Sequence, residues 1–478
     1  MTSIVIVGGG PAGYEAALVA AGLGAEVTVV DRDGVGGACV LTDCVPSKTL
    51  IATSEVMTSL AGAGRLGVRL HGADGRRPSA SWDDEGVPSP PEVVDVEVRL
   101  VYERVRQLAA AQSRDVEARL DREGVRVVHA AGRWVGPHAV EAAGQVLAGD
   151  VLLVATGASP RVLPGAEPDG ERILSWRDLY DLDELPEHLV VVGSGVTGAE
   201  FANAYRAIGS RVTLVSSRER VLPGEDQDAA AVLEEVFRRR GVDVLDRSRA
   251  ARVGRTDKGV VVELTDGRAV EGSHALIAVG SVPQTRGMGL EEVGVRLGPG
   301  GHVEVDRVSR TSVPGVYAAG DCTGVLPLAS VAAMQGRIAM WHALGEAVAP
   351  LRLATVSSNV FTDPEIATVG VSQRMVDAGA VSAETVKLPL ATNARAKMQG
   401  ISDGFVKLFC RPGSGGVLGG VVVAPRASEL ILPVSMAVRH GLTVDQVAQT
   451  FAIYPSLSGS LTEAARQLMP KETPTGAG

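Results

Sequence analysis

Short uninterrupted apolar runs, each closed by glycine, dominate the pattern of this chain. Ile4-Val5-Ile6-Val7 has no polar interruption, as a strand buried on both faces requires. An alanine-rich stretch, Tyr14–Leu23, then reads as a helix, and Glu26–Val30 as a second strand closing on Asp31. Val151–Val154 is another buried strand, running into Ala155-Thr156-Gly157, and His188–Val192 repeats the opening of the chain, followed by a helix from Ala199 and a strand at Arg211–Val215. Val94–Arg122 carries apolar residues at helical spacing, including Val101, Val105, Leu108 and Leu120, and predicts a long amphipathic helix. Short strands are expected at Val125–Ala130 and Gly132–Val135, with a hairpin over Ala139–Ala148. Ala275–Gly280 and Gly315–Ala319 read as later strands. From Leu351 the pattern becomes mixed, with strands near Ser358–Phe361, Phe405–Cys410 and Gly416–Val423 and helices near Ser428–His440 and Val444–Thr450. Between these elements, Ala63–Pro91 is rich in glycine, proline and charge and reads as a surface insertion.

The two opening repeats each carry a glycine fingerprint at the strand-to-helix turn. Gly8-Gly9-Gly10-Pro11-Ala12-Gly13 matches G-x-G-x-x-G, and Asp31 stands where an acid takes a ribose hydroxyl. Gly193-Ser194-Gly195-Val196-Thr197-Gly198 is the second copy. Glycines at these places let backbone amides and a helix N-terminus hold a pyrophosphate. Two complete fingerprints imply two dinucleotides, and the natural pair is a flavin and a nicotinamide. The second copy has Ser216 where the first has Asp31, and Arg218 and Arg220 follow. Such arginines suit a 2′-phosphate, which favours NADPH while leaving NADH open; the alternative is that both are merely solvated.

Composition narrows the class. The 478 residues suffice for about three domains, and 58 glycines with 3% aromatics suit an α/β protein that approaches ligands with its backbone. A formal charge of -10 and no basic block argue against nucleic acid as a partner. No basic leader precedes Ile4–Val7 and no apolar stretch reaches the ~20 residues of a membrane span, so a cytoplasmic protein without a transmembrane segment is expected. Four cysteines in so long a chain are not a disulfide scaffold. No metal site is expected.

Two of those cysteines lie in Gly36-Gly37-Ala38-Cys39-Val40-Leu41-Thr42-Asp43-Cys44-Val45-Pro46-Ser47-Lys48. Their spacing in an ideal helix separates the Cα atoms by roughly 8–9 Å. A disulfide needs less than about 7 Å, so pairing demands a distorted turn between them. Pro46 fits a first helical turn, and a cysteine at a helix start near Lys48 has a depressed pKa. Alone, the spacing reads more readily as two ordinary buried cysteines.

Taken in order, Gly8–Gly13, Cys39–Lys48, Ala155-Thr156-Gly157, Gly193–Glu200, Gly280–Pro283, Gly320-Asp321, Asp363-Pro364-Glu365 and Tyr454-Pro455 resemble the pyridine nucleotide–disulfide oxidoreductase family, in its lipoamide dehydrogenase-like branch. The resemblance implies an α/β fold of two Rossmann-like dinucleotide-binding domains (glutathione reductase-like) plus a C-terminal α+β dimerisation domain. The expected division is 1–160 with 276–350 for FAD, 161–275 for NAD(P)H and 351–478 for dimerisation. FAD is implied at Gly8, Gly10, Pro11, Ala12, Gly13, Asp31, Gly37, Lys48, Thr156, Gly157, Gly280, Gly320 and Asp321. The nicotinamide cofactor is implied at Gly193, Gly195, Val196, Thr197, Gly198, Glu200 and Arg218. Lys48 and Glu200 would form an ion pair tuning the flavin. Cys44 would lie against the flavin, and Cys39 would meet a disulfide substrate. A homodimer follows from the same resemblance.

One segment departs from the disulfide reductases. They carry a histidine general acid/base and an orienting glutamate near the C-terminus, and here Tyr454 and Gly459 stand at those positions. A phenol, with a reference pKa of about 10, is a poor base at neutral pH, and Tyr454 reads more simply as a packed interface aromatic. Hydride transfer to FAD needs no such histidine, whereas thiol–disulfide interchange does. The sequence thus resembles the actinobacterial-type NAD(P)H–quinone reductases of this branch, with a quinone or another small acceptor as the electron exit and little disulfide reductase activity. The alternatives are a dihydrolipoamide dehydrogenase-like disulfide reductase using Cys39 and Cys44, and a flavin-bound redox sensor with little turnover.

Overall fold

The computed structural model describes residues 1–68 and 94–470. Most of the Ala63–Pro91 insertion lies outside the described residues. They pack as two compact units, which are described separately. The first comprises 1–50, 97–184 and 277–351; the second takes 51–68, 94–96, 185–276 and 352–470. Residues 161–184, assigned from the sequence to the nicotinamide segment, fall in the first unit. There the rings of Tyr102 and Tyr180 meet edge-on at 6.3 Å, and the Arg106 guanidinium donates to the Tyr180 carbonyl.

The first unit is built on a five-stranded parallel sheet in the order Val316–Ala318, Val151–Val154, Ser3–Val7, Glu26–Asp31, Arg126–His129. Its central strands read as continuous apolar runs because both faces are covered. Ile4, Ile6, Val27, Val29 and Leu153 pack on one side, and Val5, Val7, Val30, Leu152 and Val154 on the other. The first side is covered by the helix Pro11–Gly22 and by Ala329–Ala343, a helix not read from the sequence. These helices approach so closely that a methyl group on Gly336 would sit 2.1 Å from the Ala12 carbonyl oxygen. On the other side lies the antiparallel hairpin Ala139–Ala142 with Gln145–Ala148, extended by Arg133–Gly136.

Beside a small antiparallel sheet of Ala250–Thr256, Gly259–Leu264 and Ala269–Gly272, the second unit holds two larger ones. Val242–Leu245, Arg211–Val215 and His188–Val192 are parallel, with His274–Ile277 beyond. The second sheet is antiparallel, in the order Ser357–Val360, Glu365–Gly370, Val417–Ala424, Phe405–Cys410, Glu384–Pro389.

Several expectations need correction. The long helix begins at Val98, four residues later than read, and its Leu108 is 40% exposed. The helices expected from Tyr14 and Ala199 begin at Pro11 and Val196, inside the glycine fingerprints, because an N1 proline and the turn geometry start them early. The helix expected over Ser428–His440 is two, Ala427–Leu430 and Leu432–His440, broken at Ile431 with Pro433 in the first turn of the second.

Candidate active site

Both fingerprints fold into the same turn. Gly8 and Gly193 take φ of 110° and 116°, open to glycine alone. Methyl groups on Gly13 and Gly198 would lie 1.8 and 1.9 Å from the carbonyl oxygens of Gly8 and Gly193. These glycines therefore seat the helix against the strand. Gly10 and Gly195 instead face open space: a methyl on Gly195 meets nothing within 4 Å, and one on Gly10 meets only backbone at 4.0 Å. Each turn thus presents a bare backbone at the start of a 12-residue helix. That is a cradle for a pyrophosphate, and the residues present fit a dinucleotide at both places.

Asp31 is buried and holds the first loop together. Oδ2 accepts the Gly9 N–H at 2.5 Å, and Oδ1 accepts the N–H groups of Asp33 and Gly34 at 2.8 and 2.7 Å. A carboxylate has about four acceptor positions, so one remains for a ligand hydroxyl. In the second unit the same position is Ser216. Its Oγ lies 2.7 Å from Ser194 Oγ and accepts the Arg218 N–H at 3.1 Å. This hydroxyl pair was missed in the sequence reading; aligning the two fingerprints at one constant offset shows only that serines replace Gly9 and Asp31.

The cysteine segment abuts the first loop. The Gly36 N–H donates to the Gly9 carbonyl at 2.8 Å. Gly37 has φ of 58°, and a methyl on it would lie 2.8 Å from Gly10 Cα. The short helix Gly37–Leu41 stops at Thr42, and a new helix, Cys44–Gly62, starts two residues on. The distorted turn demanded by pairing is therefore present. Cys39 and Cys44 are both thiols, joined by a side-chain hydrogen bond. That hydrogen bond holds the Cys39 pKa below the ordinary thiol value, against burial and Asp43, with Lys48 assisting. The same bond, burial and Asp43 push Cys44 upward. The helix-start argument from the sequence sets no order between the two thiols. Here the local hydrogen bond outweighs the helix terminus and leaves the proton on Cys44.

Around this core, Thr156 Oγ1 donates to the Gln284 carbonyl at 2.6 Å, and the Gln284 N–H donates to the Gly157 carbonyl at 3.0 Å. Gly320, at φ 83°, is fixed by the Gln335 side chain, which accepts its N–H at 3.0 Å. The next residue, Asp321, has no hydrogen-bond donor on its carboxylate among the described residues, and burial raises its pKa. Such a carboxylate fits a polyhydroxyl ligand chain. Cys322, one residue further, is fully buried and donates to the Ala319 carbonyl at 3.3 Å; burial pushes it up to about 11, which makes it inert. Lys48 donates to Ser47 Oγ at 3.3 Å within the first unit.

In the second unit Glu200 is buried and accepts the Phe361 N–H at 2.9 Å. Tyr454 is 85% exposed, and Phe451 and Ile453 beside it are exposed too. Gly459 opens the helix Gly459–Gln467, where its N–H meets Ser456 Oγ at 3.1 Å. Among the described residues no cluster of metal-ligating side chains occurs, and no helix is long and apolar enough to cross a membrane.

Two glycine-cradled dinucleotide loops and a hydrogen-bonded thiol pair against one of them define a nucleotide-linked redox enzyme. The chain belongs to the pyridine nucleotide-disulphide oxidoreductase family: the family model matches residues 2–336, and that of its dimerisation domain residues 356–465. It is an oxidoreductase of mixed α/β, glutathione reductase-like fold. An "NAD(P)H dehydrogenase (quinone)" of Mycobacterium tuberculosis is 58% identical, the alignment covering 98% of this chain and 94% of that protein. The dihydrolipoyl dehydrogenase of Bacillus subtilis is 30% identical over 97% of both chains. Among solved structures, that of LpdA from Mycobacterium tuberculosis superposes with a TM-score of 0.90 at 57% identity, covering 98% of this chain and 100% of the other. The flavoprotein disulfide reductase RclA from Escherichia coli shares the fold, with a TM-score of 0.84 at 24% identity over 98% and 100% of the two chains.

Proposed function

We propose that the protein is an FAD-dependent NAD(P)H:quinone oxidoreductase with little disulfide reductase activity. The observation that carries this reading is the 451–459 segment. An exposed phenol and a glycine occupy the two positions where interchange would need a base near neutral pH and its orienting carboxylate. The name of the Mycobacterium tuberculosis relative supports a quinone as acceptor.

FAD is assigned to the first loop, at Gly8, Gly10, Pro11, Ala12, Gly13 and Asp31, with Gly37, Lys48, Thr156, Gly157, Gly280, Gly320 and Asp321. Bound there, FAD supplies the redox chemistry that links a hydride donor to a quinone. The chain's own part is to hold the pyrophosphate on bare backbone and to offer Asp321 to hydroxyls. The nicotinamide dinucleotide is assigned to Gly193, Gly195, Val196, Thr197, Gly198 and Glu200. Arg218 and Arg220 have guanidinium groups without a partner among the described residues, whereas Glu219 faces Arg247 at 3.0 Å. This arrangement favours a 2′-phosphate, and thus NADPH. The protein acts as a cytoplasmic homodimer through 351–478. A second copy would remove Phe451, Ile453 and Tyr454 from water.

A second reading, a disulfide reductase, is favoured by the hydrogen-bonded Cys39–Cys44 pair. Following NADPH oxidation by the flavin-loaded protein at neutral pH separates the two. Fast turnover with a naphthoquinone and almost none with lipoamide is expected. Fast lipoamide turnover would reverse the assignment.

A further inference from the structure

Asp321 meets no hydrogen-bond donor among the described residues, yet the turn that carries it is tied down by side chains. The strand Val316–Ala318 runs out at Ala319, and Gly320, with φ 83° and ψ -160°, bends the chain into the single helical turn Asp321–Thr323. Three hydrogen bonds close a ring around that bend. The Gly320 N–H donates to Gln335 Oε1 at 3.0 Å, Thr323 Oγ1 donates to the Gly320 carbonyl at 2.7 Å, and Gln335 Nε2 donates to Thr323 Oγ1 at 3.4 Å. Both peptide groups of Gly320 are thereby held, and the second of them leads directly into Asp321. A flipped amide would set its NH2 group against the Gly320 N–H, so the ring fixes which end of Gln335 faces the turn.

The ring is buried and firmly backed. Gln335 is 2% exposed and Thr323 8%. Burying a primary amide costs free energy unless its donors and acceptor are used, so packing alone does not account for a glutamine here. Its helix, Ala329–Ala343, presents it without slack: a methyl on the next residue, Gly336, would sit 2.1 Å from the Ala12 carbonyl oxygen. Ser309 Oγ donates to the Gln335 carbonyl at 3.4 Å. A methyl on Gly320 would meet Ala12 Cβ and Ala332 Cβ, both at 3.4 Å, so the bend is wedged between two helices. Beyond Asp321, the Cys322 carbonyl accepts the Val303 N–H at 2.8 Å. What this framework leaves without a donor is the Asp321 carboxylate.

We propose that Gln335 and Thr323 form a clasp that sets the direction of the Asp321 carboxylate, and that Gln335 is thereby a positioning residue for the hydroxyl chain of a bound flavin. The inference rests on assigning FAD to the first loop. A carboxylate accepts hydroxyl donors best near its lone-pair directions, and a glycine left free to turn would spread those directions widely. Gln335 itself touches no ligand; it acts through Asp321. Its partners Gly320 and Thr323 stand 15 and 12 residues away, so the Gly-Asp motif alone gives no sign of it.

The test reads flavin binding by the full-length chain, stripped of flavin and titrated with FAD, from the quenching of flavin fluorescence. Dissociation constants are measured for the parent, Q335L, D321A and Q335L/D321A. Q335L is expected to weaken FAD binding about tenfold and D321A at least as much. The double variant should bind within about twofold of D321A, because a clasp has nothing to aim once the carboxylate is gone. T323V is expected to lose several-fold, and T323S, which keeps the hydroxyl, to stay within about twofold of the parent. Thermal midpoints of the stripped chains report folding. Losses in Q335L and D321A that multiply in the double variant overturn the proposal, since Gln335 would then support the site by another route. Parent-like binding in Q335L overturns it as well. Should Q335L not fold, the threonine pair decides: T323S as weak as T323V, or T323V as tight as the parent, overturns the proposal. A parent that binds no FAD sinks the FAD assignment and the proposal with it, whereas a parent that binds FAD, with multiplying losses, sinks the clasp alone.

Discussion

Lys407 Nζ lies 2.8 Å from Asp226 Oδ2 with each side chain only 2% exposed, and 2.6 Å from Asp228 Oδ2. Asp226 also caps the helix Gln227–Arg239, accepting the N–H groups of Asp228 and Ala229. Arg239 with Asp403 at 2.5 Å and Arg240 with Asp363 at 2.7 Å continue the seam. The helix Gln227–Arg239 is thus tied by charge to the antiparallel sheet that carries Lys407. Lys407→Met leaves the buried Asp226 carboxylate without its cation, while Asp228 keeps Lys387 at 3.0 Å, and is expected to cost about 3–5 kcal/mol in urea unfolding.

The same cluster predicts a pH dependence. Burial raises the Asp228 pKa, but hydrogen bonds from Lys407 and Lys387 outweigh it, so the folded value lies below 3.8. A depressed carboxylate stabilises the fold fully above its unfolded value and loses that contribution as pH falls through the folded one. Thermal midpoints measured from pH 5 downward are expected to fall below about pH 4, and Lys407→Met should flatten that fall.

The thiol pair gives a sharper test. With its pKa lowered by the Cys44 hydrogen bond, Cys39 in the reduced protein should react with iodoacetamide at a midpoint pH below that of an ordinary thiol. Cys44→Ala removes the donor and should move the midpoint upward. An unchanged midpoint would mean that Lys48 alone sets Cys39.

Gly37 meets Gly10 where no side chain fits. Gly37→Ala adds a methyl 2.8 Å from Gly10 Cα at a φ of 58°, a conformation that costs an L-residue roughly 1–2 kcal/mol. The expected result is protein purified with less than half the parent's flavin absorbance at 450 nm, while the second unit retains nucleotide binding.

Tyr454 tests the proposed loss of an interchange base. Tyr454→Phe should leave quinone turnover within about twofold of the parent, because hydride transfer asks nothing of the phenol. Tyr454→His combined with Gly459→Glu should raise lipoamide turnover at least tenfold; no gain would move the block on interchange elsewhere.

Much of this architecture is legible in the chain because its strands are buried on both faces. Ile4–Val7, His188–Val192, Arg211–Val215 and Phe405–Cys410 are uninterrupted or nearly so, and they fall in place to within a residue. The glycine fingerprints are legible for a related reason: a positive φ or a helix seated against a strand leaves one residue type. The helix Ala329–Ala343 left no such mark, since it is covered on several sides and shows no clean apolar stripe.

By itself the sequence determined the family and the two glycine fingerprints, because each depends on residue type at fixed local spacing. Tertiary structure alone decided the rest. It placed Gly37 on Gly10, set Cys39 rather than Cys44 as the more acidic thiol, joined Lys407 to Asp226, and brought Ser194 and Ser216 to one hydrogen bond. Those relations join residues across turns and between strands, where distance and burial set the energies and spacing along the chain carries no record of either.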